Sequence, residues 1–288
     1  MIFNKNNLPE MKDPWFESEF AIPILNKKKI KHKLKKEAKF FIENGYLIIK
    51  NCFSQKIINE TLKDFKKIVN SKSFKKNPDY FHYNESPRVI EGWRKSKKIK
   101  NICFNKKILK YLSFFYNKKP QPISTINFTL GTEQPLHSDY IHFGSCPEKF
   151  LAGVWVAFEK VDKDNGPLQI VPKSHKSKII NFYDLNLDIP KTTKELKKNY
   201  TIYENYLKEL IKIKKFKKKD IHLNKGDALI WAANLFHGGT KIRDKRRTRL
   251  SQVVHYHFKD LDYIYNPCFS DRNSGIISKR NLNEILIK

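Results

Sequence analysis

Three side chains in the second half of the chain have types and spacing suited to holding a metal ion. His137 and Asp139 sit in His137-Ser138-Asp139, and His237 heads His237-Gly238-Gly239. In an extended segment, residues i and i+2 face the same way, so the His137 imidazole and the Asp139 carboxylate converge on one point. His237 follows a strand-like apolar run over 227–233 and can bring a second imidazole there. Two imidazoles and one carboxylate are the facial ligand set of non-haem iron(II) sites, which leaves three coordination positions open. A bidentate 2-oxo acid and dioxygen together need three. Arg249, twelve residues beyond His237, is suited to clamp the far carboxylate of a 2-oxo diacid, because a guanidinium fork pairs with a carboxylate bidentately. Each feature alone is unspecific: a buried histidine is usually a hydrogen-bonded core residue, and an arginine in a basic stretch is usually solvated. Their order along the chain is what carries the reading.

The elements that must position these groups are legible as periodicities. From about residue 123 the chain reads as short β-branched and aromatic runs broken by Gly, Pro and Asn-Gly, namely ISTINFTLG, FLAGVWVAFEKV, PLQIVP, DALIWAAN and TRLSQVVHYHF. Such spacing, with few helices between strands, predicts a mainly β fold of the jelly-roll or barrel kind with helical additions. Asp164-Asn165-Gly166 is the strongest turn signal and predicts a tight hairpin. Residues 1–120 read as mostly helical support. Leu34, Ala38 and Phe41 mark one helix over 31–44 closed by Gly45, a short strand follows at 46–50, Ser54 caps a second helix, and 106–116 is a third. A β core then spans 121–258, interrupted by a helical insertion at 181–221 that is a candidate lid, and 259–288 form a tail. One domain over 1–288 is expected.

Composition limits the class. The 288 residues carry a net charge of +29, but of 58 basic residues only eight are arginine, and the lysines are spread along the whole chain beside abundant Asn and Ile. A nucleic-acid surface favours arginine, whose fork reads phosphate and guanine, so the excess is read as compositional and nucleic acid is not the expected partner. The four cysteines are far apart with no CxxC pair, which points to a reducing compartment and away from a disulfide frame or a thiolate zinc site. The first sixteen residues lack the basic start and apolar core of a leader. No apolar run approaches the length of a membrane span. A cytoplasmic protein is expected.

Over 128–258 the pieces fall in a recognisable order: Gln134-Pro135-Leu136-His137-Ser138-Asp139, Trp155-Val156-Ala157-Phe158-Glu159, Asp164 through His175, Lys225-Gly226-Asp227, His237-Gly238-Gly239 and Arg249-Leu250-Ser251. This stretch resembles the phytanoyl-CoA dioxygenase family of Fe(II)/2-oxoglutarate oxygenases. The resemblance implies a double-stranded β-helix (jelly roll, cupin-like), iron on His137, Asp139 and His237, and 2-oxoglutarate on Arg249. The Arg-x-Ser spacing to Ser251 favours Arg249 over its neighbour Arg247. It further implies hydroxylation of a small organic substrate by dioxygen, with release of succinate and carbon dioxide. Related halogenases carry Gly or Ala where this chain has Asp139, so halogenation is not expected. One departure is visible: the family has Gly before its Ser-His pair, and this chain has Lys173, at about 1–2 kcal/mol if the position is left-handed.

Other residues receive weaker readings. Asn127, Thr129 and Gln134, on the approach to the HxD pair, and Ser251, beside Arg249, are candidate 2-oxoglutarate contacts. His142 is open between the pocket wall and a strand-end surface. His175 reads as a structural loop residue and Trp93-Arg94 as packing. His255 and His257 share a strand face but read as structural, since no carboxylate accompanies them in sequence. Two other functions remain open: a non-catalytic β-barrel binding a small or anionic ligand, and an oxygenase acting on a macromolecule. Oligomeric state and substrate identity are not legible.

Overall fold

A computed structural model describes residues 12–81, 85–281 and 285; most of the stretch read for a leader lies outside them. Seven α-helices are present among these residues: α1 Ala21–Lys27, α2 His32–Asn44, α3 Gln55–Asn70, α4 Lys72–Lys76, α5 Lys97–Ile102, α6 Lys106–Tyr116 and α7 Thr193–Ile213. The twelve strands are β1 Tyr46–Ile49, β2 Asp79–Phe81, β3 Ser86–Ile90, β4 Pro120–Phe128, β5 Gly144–Cys146, β6 Ala152–Ala157, β7 Leu168–Ile170, β8 Lys219–Ile221, β9 Ala228–Ala232, β10 His237–Gly239, β11 Ser251–Phe258 and β12 Tyr263–Tyr265. The helix ends follow their signals. The Ser54 hydroxyl accepts from the Ile57 amide, α2 stops at Gly45 with φ 77°, and a Thr192–Glu195 capping box opens α7.

The strands form a large antiparallel sheet in the order β1-β9-β6-β11-β4-β3-β2 and a smaller sheet β10-β7-β8, with β12-β5 as a separate pair. Alternation along the central strands sends one set of side chains to each face. Val154, Val156, Ala228, Ile230, Val254 and Tyr256 pack against helical residues such as Phe41, Ile108, Leu112 and Phe115 in one cluster. Phe41 and Phe115 stack there at 4.0 Å, and burying each such ring contributes about 1.5–3 kcal/mol. The opposite face carries Trp155, Leu229 and Trp231 towards Leu168, Ile170 and Ile221 of the smaller sheet. The site lies on this second face. Among the described residues, no helix is long and apolar enough to cross a membrane.

Two expectations need correction. The Asp164-Asn165-Gly166 turn does not close a hairpin of paired neighbours, because β6 belongs to the large sheet and β7 to the small one. The turn carries the chain between sheets. Only Gly166 takes a positive φ, while buried Asn165 holds the loop through the carbonyls of Lys160 and Thr248 and the amide of Asp162. The amino-terminal third is also less purely helical than its periodicity suggests. β1, the strand expected at 46–50, forms one edge of the large sheet, and β2 and β3, absent from that reading, form the other. The insertion contributes one long helix, and its last residues, β8, join the small sheet.

Candidate metal and ligand site

His137 and His237 are backbone partners: each amide donates to the other's carbonyl at 2.9 Å. That pairing requires close approach, and a Cβ on Gly238 would stand 2.5 Å from the Gln134 carbonyl oxygen, which is why His-Gly follows the strand. Each ring also donates from Nδ1 to the carbonyl two residues earlier, Pro135 for His137 and Leu235 for His237, both at 2.9 Å. Nδ1 is thereby committed and Nε2 is left as the free donor atom, the usual orienting role of a second hydrogen bond on a ligating histidine. The two Nε2 atoms lie 3.8 Å (His137) and 3.6 Å (His237) from Asp139 Oδ1. All three donor atoms fall within 4.8 Å of one another, and all three residues are buried. A metal bonded at about 2.0–2.3 Å asks for donor separations near 3–3.5 Å, so modest side-chain movement closes the set.

The protonation states suit a metal. Burial pushes His137 down to about 3, helped by neighbouring His237. Burial alone would raise the Asp139 carboxyl, but His237, His255 and His137 outweigh it and hold the group below the usual carboxylate range. A neutral imidazole beside an ionised carboxylate is what metal binding requires.

These residues open into a chamber of about 550 Å³. Its floor is apolar, with Ile126, Phe128, Trp155, Leu168 and Val253 around Arg249. Arg249 is 1% exposed. Nη2 donates to the Leu130 carbonyl at 3.3 Å, Nε has no partner, and the guanidinium carbon stands 5.1 Å over the Trp155 ring. Burial pulls its pKa down to about 10, partly countered by Glu159. No carboxylate among the described residues pairs with it. Arg247 is different: it donates to both oxygens of Asp162 at 2.8 and 3.1 Å on the surface, and it does not line the chamber.

The roof is α7. Thr193, Leu196, Lys197, Tyr200, Thr201 and Glu204, one face at helical spacing, line the chamber, while Tyr203, Leu207 and Ile211 pack on Val171, Phe182 and Phe236. The Tyr200 hydroxyl lies 3.2 Å from His142 Nε2, and the rings stack.

The remaining sequence-stated positions divide. Gln134 and His142 line the chamber; Asn127, Thr129 and Ser251 do not. Asn127 bonds Gln252 on the far face of the sheet at 3.1 Å, and the Thr129 hydroxyl donates to the Pro87 carbonyl at 2.7 Å. Along β4 it is Ile126 and Phe128 that point inward, so the period-2 alternation turns Asn127 outward. Ser251 Oγ donates to the Arg249 carbonyl at 3.4 Å. His175 Nε2 meets the Ile42 carbonyl at 3.1 Å and ties its loop to the end of α2. His255 lies outside the metal-capable group found among the described residues, but a carboxylate does accompany it: Asp139 Oδ2 lies 3.4 Å from its Nε2. Trp231, unremarked in sequence, donates from Nε1 to the same oxygen at 2.8 Å. Lys173 adopts φ 73°, the left-handed conformation its motif position implied.

Solved structures with related folds include EctD from S. alaskensis in its apoform, at TM-score 0.66 and 16% identity over 96% of this chain and 92% of that one. The non-heme alpha ketoglutarate dependent carbocyclase SnoK from nogalamycin biosynthesis aligns at TM-score 0.65 and 14% identity, covering 89% and 94%. The expected mainly β jelly-roll fold with helical additions is therefore borne out. In sequence, the peroxisomal phytanoyl-CoA dioxygenase of Rattus norvegicus is 24% identical over 246 residues, 79% of this chain and 69% of the relative. A probable phytanoyl-CoA dioxygenase of Caenorhabditis elegans is 24% identical over 259 residues, 78% and 75%. Residues 41–249, which include both histidines, the aspartate and the buried arginine, match the phytanoyl-CoA dioxygenase family model, and the chain belongs to that family.

Proposed function

We propose that the chain is an Fe(II)- and 2-oxoglutarate-dependent hydroxylase of a small organic substrate. His137, Asp139 and His237 would hold the iron and Arg249 the far carboxylate of 2-oxoglutarate. The observation that carries the reading is Arg249 itself, a buried cation with no carboxylate partner among the described residues and an unbonded Nε, at the floor of the chamber that the triad lines. Leaving such a group unpaired costs on the order of 1–3 kcal/mol or more, and a dicarboxylate reaching down from the metal would satisfy it. The donor set also fits iron(II), with mixed nitrogen and oxygen ligands and no thiolate.

When bound, iron(II) with 2-oxoglutarate supplies dioxygen activation: substrate C–H, 2-oxoglutarate and dioxygen give C–OH, succinate and carbon dioxide. The protein's part is positional. Pro135 and Leu235 carbonyls fix the two imidazoles, Arg249 sets the direction of the co-substrate, and the apolar floor excludes water from it. The α7 face over the chamber supports a small substrate rather than a macromolecule, and His142 with Tyr200 offers it polar contact close to the triad. Asp139 takes a ligand position that halide would otherwise need, which supports hydroxylation.

The test is succinate formation with Fe(II), ascorbate and 2-oxoglutarate across a metabolite panel, with His237→Ala as control. Iron-dependent succinate that rises with one metabolite class and vanishes in the variant is expected. No iron-dependent succinate, even slow and uncoupled, would leave the binding-module reading in its place.

A further inference from the structure

We infer that Trp231 is a positioning residue that holds the outer oxygen of Asp139 across a notch made by Gly153, so that Asp139 offers a single oxygen to the metal. The inference rests on the iron reading of the site. β11, β6 and β9 are adjacent in the large sheet, and His255, Gly153 and Trp231 form one row across them, each the direct antiparallel partner of the next. Partners on one face have Cβ atoms about 4.5–5.5 Å apart, so any side chain at the middle position would fill the space between the outer two. Glycine leaves that space to the indole. A Cβ on Gly153 would stand 2.0 Å from Trp231 Cε2 and 2.5 Å from Nε1.

Lying across the notch, the indole aims its N–H at Asp139 Oδ2, 2.8 Å away. His255 closes the other end of the row, its Nε2 3.4 Å from the same oxygen and its ring stacked on Phe143. Asp139 Oδ1 meanwhile faces Nε2 of both His137 and His237. The two carboxylate oxygens are thus divided: one towards the metal position, one towards the sheet. Packing alone does not ask for this. Trp155, buried on the same face of β6, leaves its own indole N–H without a partner, whereas the Trp231 N–H is spent on a ligand residue.

The division matters because a carboxylate binding through both oxygens would take two coordination positions. With two imidazoles it would leave two open, and a chelating 2-oxo acid plus dioxygen need three. Outer hydrogen bonds of this kind are worth about 10–100-fold in metal affinity or activity.

Trp231→Phe keeps a ring in the slot and removes the N–H. Wild type and variant are loaded with Co(II), and three quantities are measured: the visible ligand-field spectrum, the dissociation constant for Co(II), and that for 2-oxoglutarate added to the Co(II) protein. The expected result is 2-oxoglutarate binding weakened about 10-fold or more, with a change in ligand-field intensity that marks altered coordination number. Gly153→Ala, whose methyl must displace the indole, should move both in the same direction and carries the test if Trp231→Phe does not fold. Leu229→Val trims the same core cluster without reaching Asp139 and should leave the spectrum unchanged. A folded Trp231→Phe whose spectrum and 2-oxoglutarate affinity stay within about twofold of wild type, a fraction of the expected loss, overturns the positioning role. Wild-type protein that binds no Co(II) refutes the iron reading instead.

Discussion

Arg249→Met separates two opposing effects at the chamber floor. Without co-substrate the guanidinium is buried and its Nε unbonded, and burial holds its pKa at about 10. A base whose proton affinity is depressed by folding destabilises the fold while it is charged, so the penalty is present at every pH below about 10 and fades only above it. Against an ordinary guanidinium it is on the order of 3 kcal/mol at neutral pH. Methionine has similar reach and no charge, so the metal-loaded variant without 2-oxoglutarate should be more stable than wild type by about 1–3 kcal/mol, several degrees in thermal midpoint. 2-Oxoglutarate shifts the balance back towards wild type. Losing a desolvated guanidinium–carboxylate pair costs about 2–5 kcal/mol, hence at least roughly 30-fold in affinity. At a hundred times the wild-type dissociation constant, ligand stabilises wild type by about 2.7 kcal/mol; the variant, at about three times its own constant, gains below about 1 kcal/mol. Thermal denaturation of the Mn(II)-loaded proteins with and without 2-oxoglutarate reads both numbers. A variant that keeps the full ligand-induced shift, or an Arg247→Ala variant that loses it, would refute the assignment.

Asp139→Ala should keep the fold and lose most succinate formation, while wild type in chloride buffer gives only oxygenated product by mass; a chlorinated wild-type product would count against hydroxylation. Glu17 is buried beside Lys149 with neither oxygen hydrogen-bonded, and burial pushes its carboxyl up to about 7. An acid raised by folding stabilises while protonated and loses that as pH rises through its folded value. Glu17→Gln should therefore stabilise by about 3 kcal/mol at pH 8 and by little at pH 4, read from urea midpoints, and an equal gain at both would refute the buried-acid account. Lys173→Gly relieves a left-handed residue worth about 1–2 kcal/mol, less about 0.4–1 kcal/mol of added chain entropy. A small net gain in unfolding free energy is expected, and a clear loss would show that the Lys173 side chain contributes more than its backbone costs.

The parts of the site readable from sequence are those fixed within a few residues. His137 and Asp139 share a face because alternation is local, and His237-Gly238 is marked because only glycine lets the next residue approach the Gln134 carbonyl. Lys173 is of the same kind, since its φ follows from a motif position. Helices α2 and α3 were legible from their apolar period and end signals, and α7 from its period alone, for the same reason. Asn127 and Thr129 show where this stops. They share a parity with one another, but the irregular stretch from 129 to 136 does not transmit that parity to the HxD pair, so only register decides that Ile126 and Phe128 face inward. Asp139 contains both cases. Its neighbour His137 was visible in spacing, whereas the indole that holds its second oxygen comes from β9 and the imidazole beside it from β11, with β6 between them. Which strands are neighbours is set by packing of the whole sheet, not by any run of residues. The glycine that makes room between the two is likewise unremarkable in sequence and acquires its role only from the row it stands in.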